Sequence, residues 1–250
     1  MLRSATLALL LAAGPASAEV WQAGYLFTAA GIPLMEAQVA FDMDRPGARY
    51  FVETRTRPRG LATIFFRGEQ VARSEGAWRG SLPRPLQHRS QGNWRGTPRR
   101  TQIDYAADGT PRVTVLDPQQ DMERTPIPTE ALPGTLDSLS AMVQLARQVR
   151  ETSRCDGRAR IFDGRRLTEL TVATDAVRQA DSGGLPSCVI ESRIVGGLPV
   201  ERPEDARVMR SIVHFAPPRE PGAPLLPIRI ELPSRWWGTL QVTLVGLSRT

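Results

Sequence analysis

Along most of this chain apolar and polar residues alternate, and only one long segment breaks that rhythm. Within 134–150, Leu139, Met142, Val143, Ala146 and Val149 fall three or four apart and make one apolar stripe, with Ser140, Gln144, Arg147 and Arg150 on the other side. This spacing predicts a helix over 136–150. Pro133-Gly134 stops what precedes it, Thr135 or Asp137 can accept the first free backbone N–H groups, and Arg147 and Arg150 stand where the helix dipole favours cations. If the stripe is buried, placing Asp at Met142 should destabilise the fold by about 3 kcal/mol.

The rest reads as strands. Residues 35–41 place apolar side chains at odd positions and Glu36 and Gln38 opposite, and 50–56 repeat the pattern. Asp44 to Gly47 supplies the turn between them. Residues 61–73 are strand-like around Ile64, Phe65 and Phe66, 74–85 read as a loop carrying Trp78, and 86–94 as a weaker strand. Asp108-Gly109 and Asp163-Gly164 each sit between two alternating segments, a strong signal for hairpins over 100–116 and 158–173. Prolines at 118, 126, 128 and 133 make 117–134 a connector into the helix. Further strands are expected at 188–195, 207–215, 227–232 and 238–247. The fold class is mainly β: a curved antiparallel sheet or open β-barrel of about ten strands, with one α-helix packed on its concave side.

Composition adds a compartment. One charge, Arg3, precedes an apolar run over 5–13, a Gly14-Pro15 break and Ala16-Ser17-Ala18, the arrangement that signal peptidase reads. The expectation is a signal peptide over 1–18, cleaved after Ala18, and a single β-rich domain over 19–250, 232 residues (250 less 18). No later stretch approaches the roughly 20 apolar residues of a membrane-spanning helix. Localisation is therefore expected to be periplasmic. The 32 basic residues are all Arg, and loss of Arg3 takes the net charge from +6 to +5. That balance admits anionic envelope partners, but the Arg residues are spread along the strands and form no block. Export disfavours nucleic acid. Cys155 and Cys188, the only cysteines, read as a disulfide in an oxidising compartment, tying the helix end to a later strand. No metal site or cofactor is expected, because His88 and His214 are the only histidines and neither has a second ligand at suitable spacing.

Catalytic chemistry finds little support. Ser138 or Ser140 with Asp137 and a histidine has the composition of a nucleophile system, but no Gly-x-Ser-x-Gly elbow is present, and Asp and Ser at a helix start are expected as caps. Asp163 is accounted for by its turn. Arg235, Trp236 and Trp237 lie at an expected hairpin tip. Adjacent strand residues face opposite sides, so one Trp would point outward and, beside Arg235, offer a platform for a sugar ring or lipid head group. Alternatively both indoles pack over the open end of the sheet.

The order of motifs resembles a known family. Tyr25, Gly31-Ile32, Tyr50 to Arg57, Arg59-Gly60-Leu61, Ser74-Glu75-Gly76 and Leu82 to Leu86 look like the N-terminal half of the bacterial domain of unknown function 3108. Asp137 to Ser140, Ile161 to Arg166, and Leu232-Pro233 through Gly238 to Leu247 look like its second half. The resemblance implies an exported, β-rich envelope protein and supplies no catalytic residues. Two functions compete: a non-catalytic binding or envelope-maintenance protein with an apolar cleft for a lipid or cell-envelope polymer, and a cell-wall hydrolase whose carboxylates only the fold assembles.

Overall fold

The computed structural model describes residues 20–60, 62–65, 68–94, 96–119, 122–217, 220, 223–234 and 238–249. The expected signal peptide over 1–18 lies outside them. In chain order the strands are β1 (Trp21–Ala29), β2 (Ile32–Arg45), β3 (Arg49–Pro58), β4 (Gln70–Arg79), β5 (Leu82–Trp94), β6 (Thr97–Tyr105), β7 (Pro111–Asp117), β8 (Gly157–Phe162), β9 (Leu167–Thr174), β10 (Ser187–Gly196), β11 (Met209–Ala216), β12 (Leu226–Ser234) and β13 (Gly238–Arg249). Among the described residues three α-helices interrupt them: α1 (Ala62–Phe65), α2 (Ser138–Thr152) and α3 (Ala176–Asp181).

The strands form one antiparallel sheet of 13 in the order β7-β6-β5-β4-β3-β2-β1-β13-β12-β11-β10-β9-β8. Two meanders, β1–β7 and β8–β13, are thus joined through β1 and β13, which leaves β7 and β8 at the edges. Those edges approach each other. A Cβ built on Gly164, in the β8–β9 turn, would lie 2.9 Å from Thr101 of β6 and 3.5 Å from Leu116 of β7. The segment before α2 also runs beside β8: Leu136 N–H donates to the Arg160 carbonyl at 2.9 Å, and Phe162 N–H donates to the Leu136 carbonyl at 2.8 Å. The result is a nearly closed, barrel-like sheet whose exposed edge is partly covered.

One face carries the main core. Tyr25, Phe41, Met43, Tyr50, Val52, Trp78 and Val242 pack together with Leu139 and Val143 of α2. Both Asp-Gly hairpins form as the sequence predicts. Asp163 accepts the backbone N–H groups of Arg165 and Arg166 at 2.9 and 2.7 Å, and Asp108 accepts that of Thr110 at 2.9 Å. No helix among the described residues is long and apolar enough to cross a membrane.

The structure corrects several expectations. The described residues form 13 strands, not about ten. β1 escaped because Tyr25, Leu26 and Phe27 are apolar in succession, without one-sided alternation. The strand expected at 61–73 is replaced by α1, with Ile64 68% exposed, followed by β4. β4 and β5 occupy most of the expected loop at 74–85, because Ser74 faces inward and polar inward residues disguise a strand. α2 begins two residues later than 136, and α3, capped by the Asp175 side chain, was not anticipated. On α2 the buried residues are Leu139, Ser140, Val143 and Val149, whereas Met142 is 47% exposed. The helix is rotated toward Ser140, so the stripe drawn through Met142 is misplaced.

Candidate functional site

The rotation of α2 is explained by a buried polar cluster. Asp137 is the N-cap, and its Oδ1 accepts the backbone N–H groups of Leu139 and Ser140 at 3.0 and 2.9 Å. The same oxygen accepts the Ser74 hydroxyl at 2.6 Å, and Oδ2 accepts the Ser140 hydroxyl at 2.6 Å. Each hydroxyl has therefore spent its one proton on the carboxylate and can only accept from its other neighbour. Tyr50 must donate to Ser140 Oγ, 2.8 Å away. His88 must carry its proton on Nδ1 and donate to Ser74 Oγ, also 2.8 Å away. His88 Nδ1 lies 3.3 Å from Asp137 Oδ1 as well.

Four elements meet here: β3 brings Tyr50, β4 Ser74, β5 His88, and the start of α2 brings Asp137 and Ser140. Gly76 makes the approach of Tyr50 sterically feasible, since a Cβ there would fall 2.4 Å from both Tyr50 Oη and the Arg84 carbonyl. Burial alone would raise the Asp137 carboxyl, but hydrogen bonds and electrostatic attraction from His88, with hydrogen bonds from Ser140 and Ser74, outweigh it and hold the group below its ordinary value. Burial pushes the Tyr50 hydroxyl well above its usual range, which keeps it a donor.

Ser, His and Asp in contact invite comparison with a nucleophile relay, and the geometry differs. A relay places the carboxylate and the hydroxyl on opposite ring nitrogens. Here both lie on Nδ1, and the hydroxyl proton goes to the carboxylate, not to the imidazole. Ser74, Ser140, Asp137 and His88 are exposed by only 0, 0, 1 and 6%. The cluster anchors the helix to β3–β5. Ser138, the other candidate, is exposed and heads the helix. The second histidine, His214, sits 3.5 Å from Glu231 and 3.4 Å from Ser187, far from this cluster in register. Among the described residues no group of three or more His, Cys, Asp or Glu could hold a metal ion. Arg235, Trp236 and Trp237 lie outside the described residues.

An apolar groove opens on the other flank of α2. It offers about 240 Å³ between the helix and β8–β10, lined by Ala141, Met142 and Leu145 on one side and Ile161, Leu170 and Val172 on the other, with Ile190 and Cys155 also in its wall. No carboxylate lines it, and Arg158 stands in its wall as the one cation. Cys155 is bridged to Cys188 with Cα atoms 5.6 Å apart, which fixes the C-terminal end of α2 to β10, as the cysteine count predicts. Both cysteines pack with Val149, Val213 and Phe215 in a second cluster. The groove was hidden in the sequence because its two walls are 16 to 49 positions apart. The exposure of Met142 is the signal in retrospect, since it is an apolar residue at a helical position that the sheet does not cover.

A family model described as "Protein of unknown function (DUF3108)" matches residues 22–245. Among solved structures, the chain is similar to a β-barrel-like protein of domain of unknown function DUF1849 from Brucella abortus, at 13% identity and a TM-score of 0.49, over 92% of this chain and 97% of that one. No curated protein matches.

Proposed function

We propose that this chain, which belongs to the DUF3108 family, is a non-catalytic envelope protein that binds one acyl chain of an anionic lipid in the groove between α2 and β8–β10. The observation that carries this reading is the exposed Met142 on a helix whose neighbours Leu145, Ile161, Leu170 and Val172 form an apolar trough without a carboxylate. Ligand sites are concave and mostly apolar, with few polar groups that set orientation, and those for drug-sized molecules span about 300–1,000 Å³. A groove of about 240 Å³ is narrower and suits a single aliphatic chain. Arg158 is exposed at its wall and would face a carboxylate or phosphate head group.

In this reading residues 1–18 direct export and are removed, the remainder works as one domain in the periplasm, and the disulfide keeps one end of the groove fixed. A hydrolase would need carboxylates facing its substrate, and the groove has none. The test is titration of a fluorescent fatty acid into wild type and Met142→Asp. The substitution places a charge in the groove while sparing the buried face of α2, so the variant should fold and lose binding by about tenfold or more. Equal binding by both proteins would exclude the groove as the site.

A further inference from the structure

The face of β3–β6 turned away from α2 gathers arginines that the sequence keeps 11 to 18 residues apart. Antiparallel register aligns them. Glu53 of β3 stands opposite Arg73 of β4, Arg73 opposite Arg89 of β5, and Arg89 opposite Gln102 of β6. In the next row Arg55 faces Val71, Val71 faces Gln91, and Gln91 faces Arg100. Together these residues line an open depression of about 450 Å³, joined by Ser90 and Thr101.

Like charges directly opposite on a sheet repel, and Arg73 and Arg89 are such a pair. Two of the four guanidinium groups are already engaged. Arg55 pairs with Glu53 at 2.8 Å, and Arg73 reaches Glu75 at 3.2 Å while lying over the Phe51 ring at 4.7 Å. Neither Arg89 nor Arg100 has a carboxylate within salt-bridge distance among the described residues, although Asp117 stands opposite Arg100 on β7. Asp104, which feels the charge of Arg89, is occupied by Gln87, Gln102 and Thr114, whose hydrogen bonds hold its carboxyl below the usual range. Arg89 and Arg100 are diagonal neighbours on one face, a relation that sets the two residues roughly 7–8 Å apart. Two guanidinium forks at that spacing, flanked by the side-chain amide of Gln91, match a ligand carrying two adjacent phosphate groups.

We propose that this depression, centred on Arg89 and Arg100, is an anion site for a ligand with closely spaced phosphates. It is independent of the groove beside α2.

The probe is inorganic tripolyphosphate, titrated calorimetrically at low salt into three full-length proteins: wild type, Arg89→Gln/Arg100→Gln, and Arg193→Gln/Arg210→Gln. The last pair removes the same charge from exposed positions on the other meander. Wild type and the control pair should bind, and the site pair should lose about tenfold or more in affinity. No binding by wild type, or equal weakening in both pairs, would overturn the site, the second result reducing it to net charge. Flotation with phosphatidylglycerol vesicles against phosphatidylcholine vesicles separates the sources. Site-dependent flotation with the former identifies a lipid surface as the carrier of the phosphates, and tripolyphosphate binding without flotation identifies a free ligand. Met142→Asp should leave tripolyphosphate binding unchanged, so failure here and failure of the groove are read separately.

Discussion

Replacing Asp137 with Ala tests whether the buried cluster holds the fold. The carboxylate accepts two backbone N–H groups at 3.0 and 2.9 Å and two hydroxyls at 2.6 Å, and it is 1% exposed. Losing the cap costs about 1 kcal/mol. Each hydrogen bond to a charged group contributes about 1.5–3 kcal/mol, and the hydroxyls of Ser74 and Ser140 would be left buried without an acceptor. These terms share partners and do not add fully, so the total should be about 3–5 kcal/mol. For a chain of this size that corresponds to a melting shift on the order of 10 °C. Urea unfolding followed by tryptophan fluorescence reads it, because Trp78 lies in the same core with its centroid 5.1 Å from that of Tyr50. Asp137→Asn keeps the shape and resolves the charge. The Asp137 carboxyl is held below its unfolded value of about 3.9, so its contribution is complete above that pH and disappears as pH falls through the lower folded value. The stability gap between wild type and Asp137→Asn should be widest near neutrality and narrow below about pH 4. A loss under about 1 kcal/mol for Asp137→Ala would refute the assignment of this cluster as the anchor of α2.

Three further outcomes follow from local geometry. Gly76→Ala drives a methyl to 2.4 Å from Tyr50 Oη and from the Arg84 carbonyl, and should cost more than about 2 kcal/mol in the same urea assay. Ser153 caps the end of α2 with φ +53°, so Ser153→Gly should raise stability by about 0.5–1 kcal/mol, read as a higher urea midpoint at unchanged slope. Reduction of Cys155–Cys188, separated by 33 positions, should lower stability by about 3–4 kcal/mol, seen as a drop in melting temperature on adding a reductant that a Cys155→Ala/Cys188→Ala protein does not show.

What could be read ahead of the structure was the part governed by one-sided burial and by turns. Asp108-Gly109 and Asp163-Gly164 marked their hairpins because a tight turn needs positive φ, and those glycines adopt 83° and 89°. Asp137 was legible as a cap, since capping depends on neighbours in sequence. Its second role was not, because Ser74 and His88 reach it from 63 and 49 positions away, and polar residues facing a core defeat hydrophobic pattern reading. The same residues misled the strand assignment at 74–85 and the phase of the helix. Met142 belongs to the apolar stripe by spacing, but the inward pull on Ser140 turned it outward into the groove. The Arg89 and Arg100 pair needed register, which no single strand contains.

Occupancy of the groove beside α2 by an acyl chain is directly measurable. Native mass spectrometry of the protein expressed from Met1 in a bacterial host and purified without detergent reads that occupancy. Wild type should carry an added mass equal to a single-chain or acyl-bearing anionic lipid, released on collisional activation, and Met142→Asp of equal stability should be bare. Wild type free of lipid, or both proteins carrying the same lipid to the same extent, would exclude the groove as an acyl-chain site.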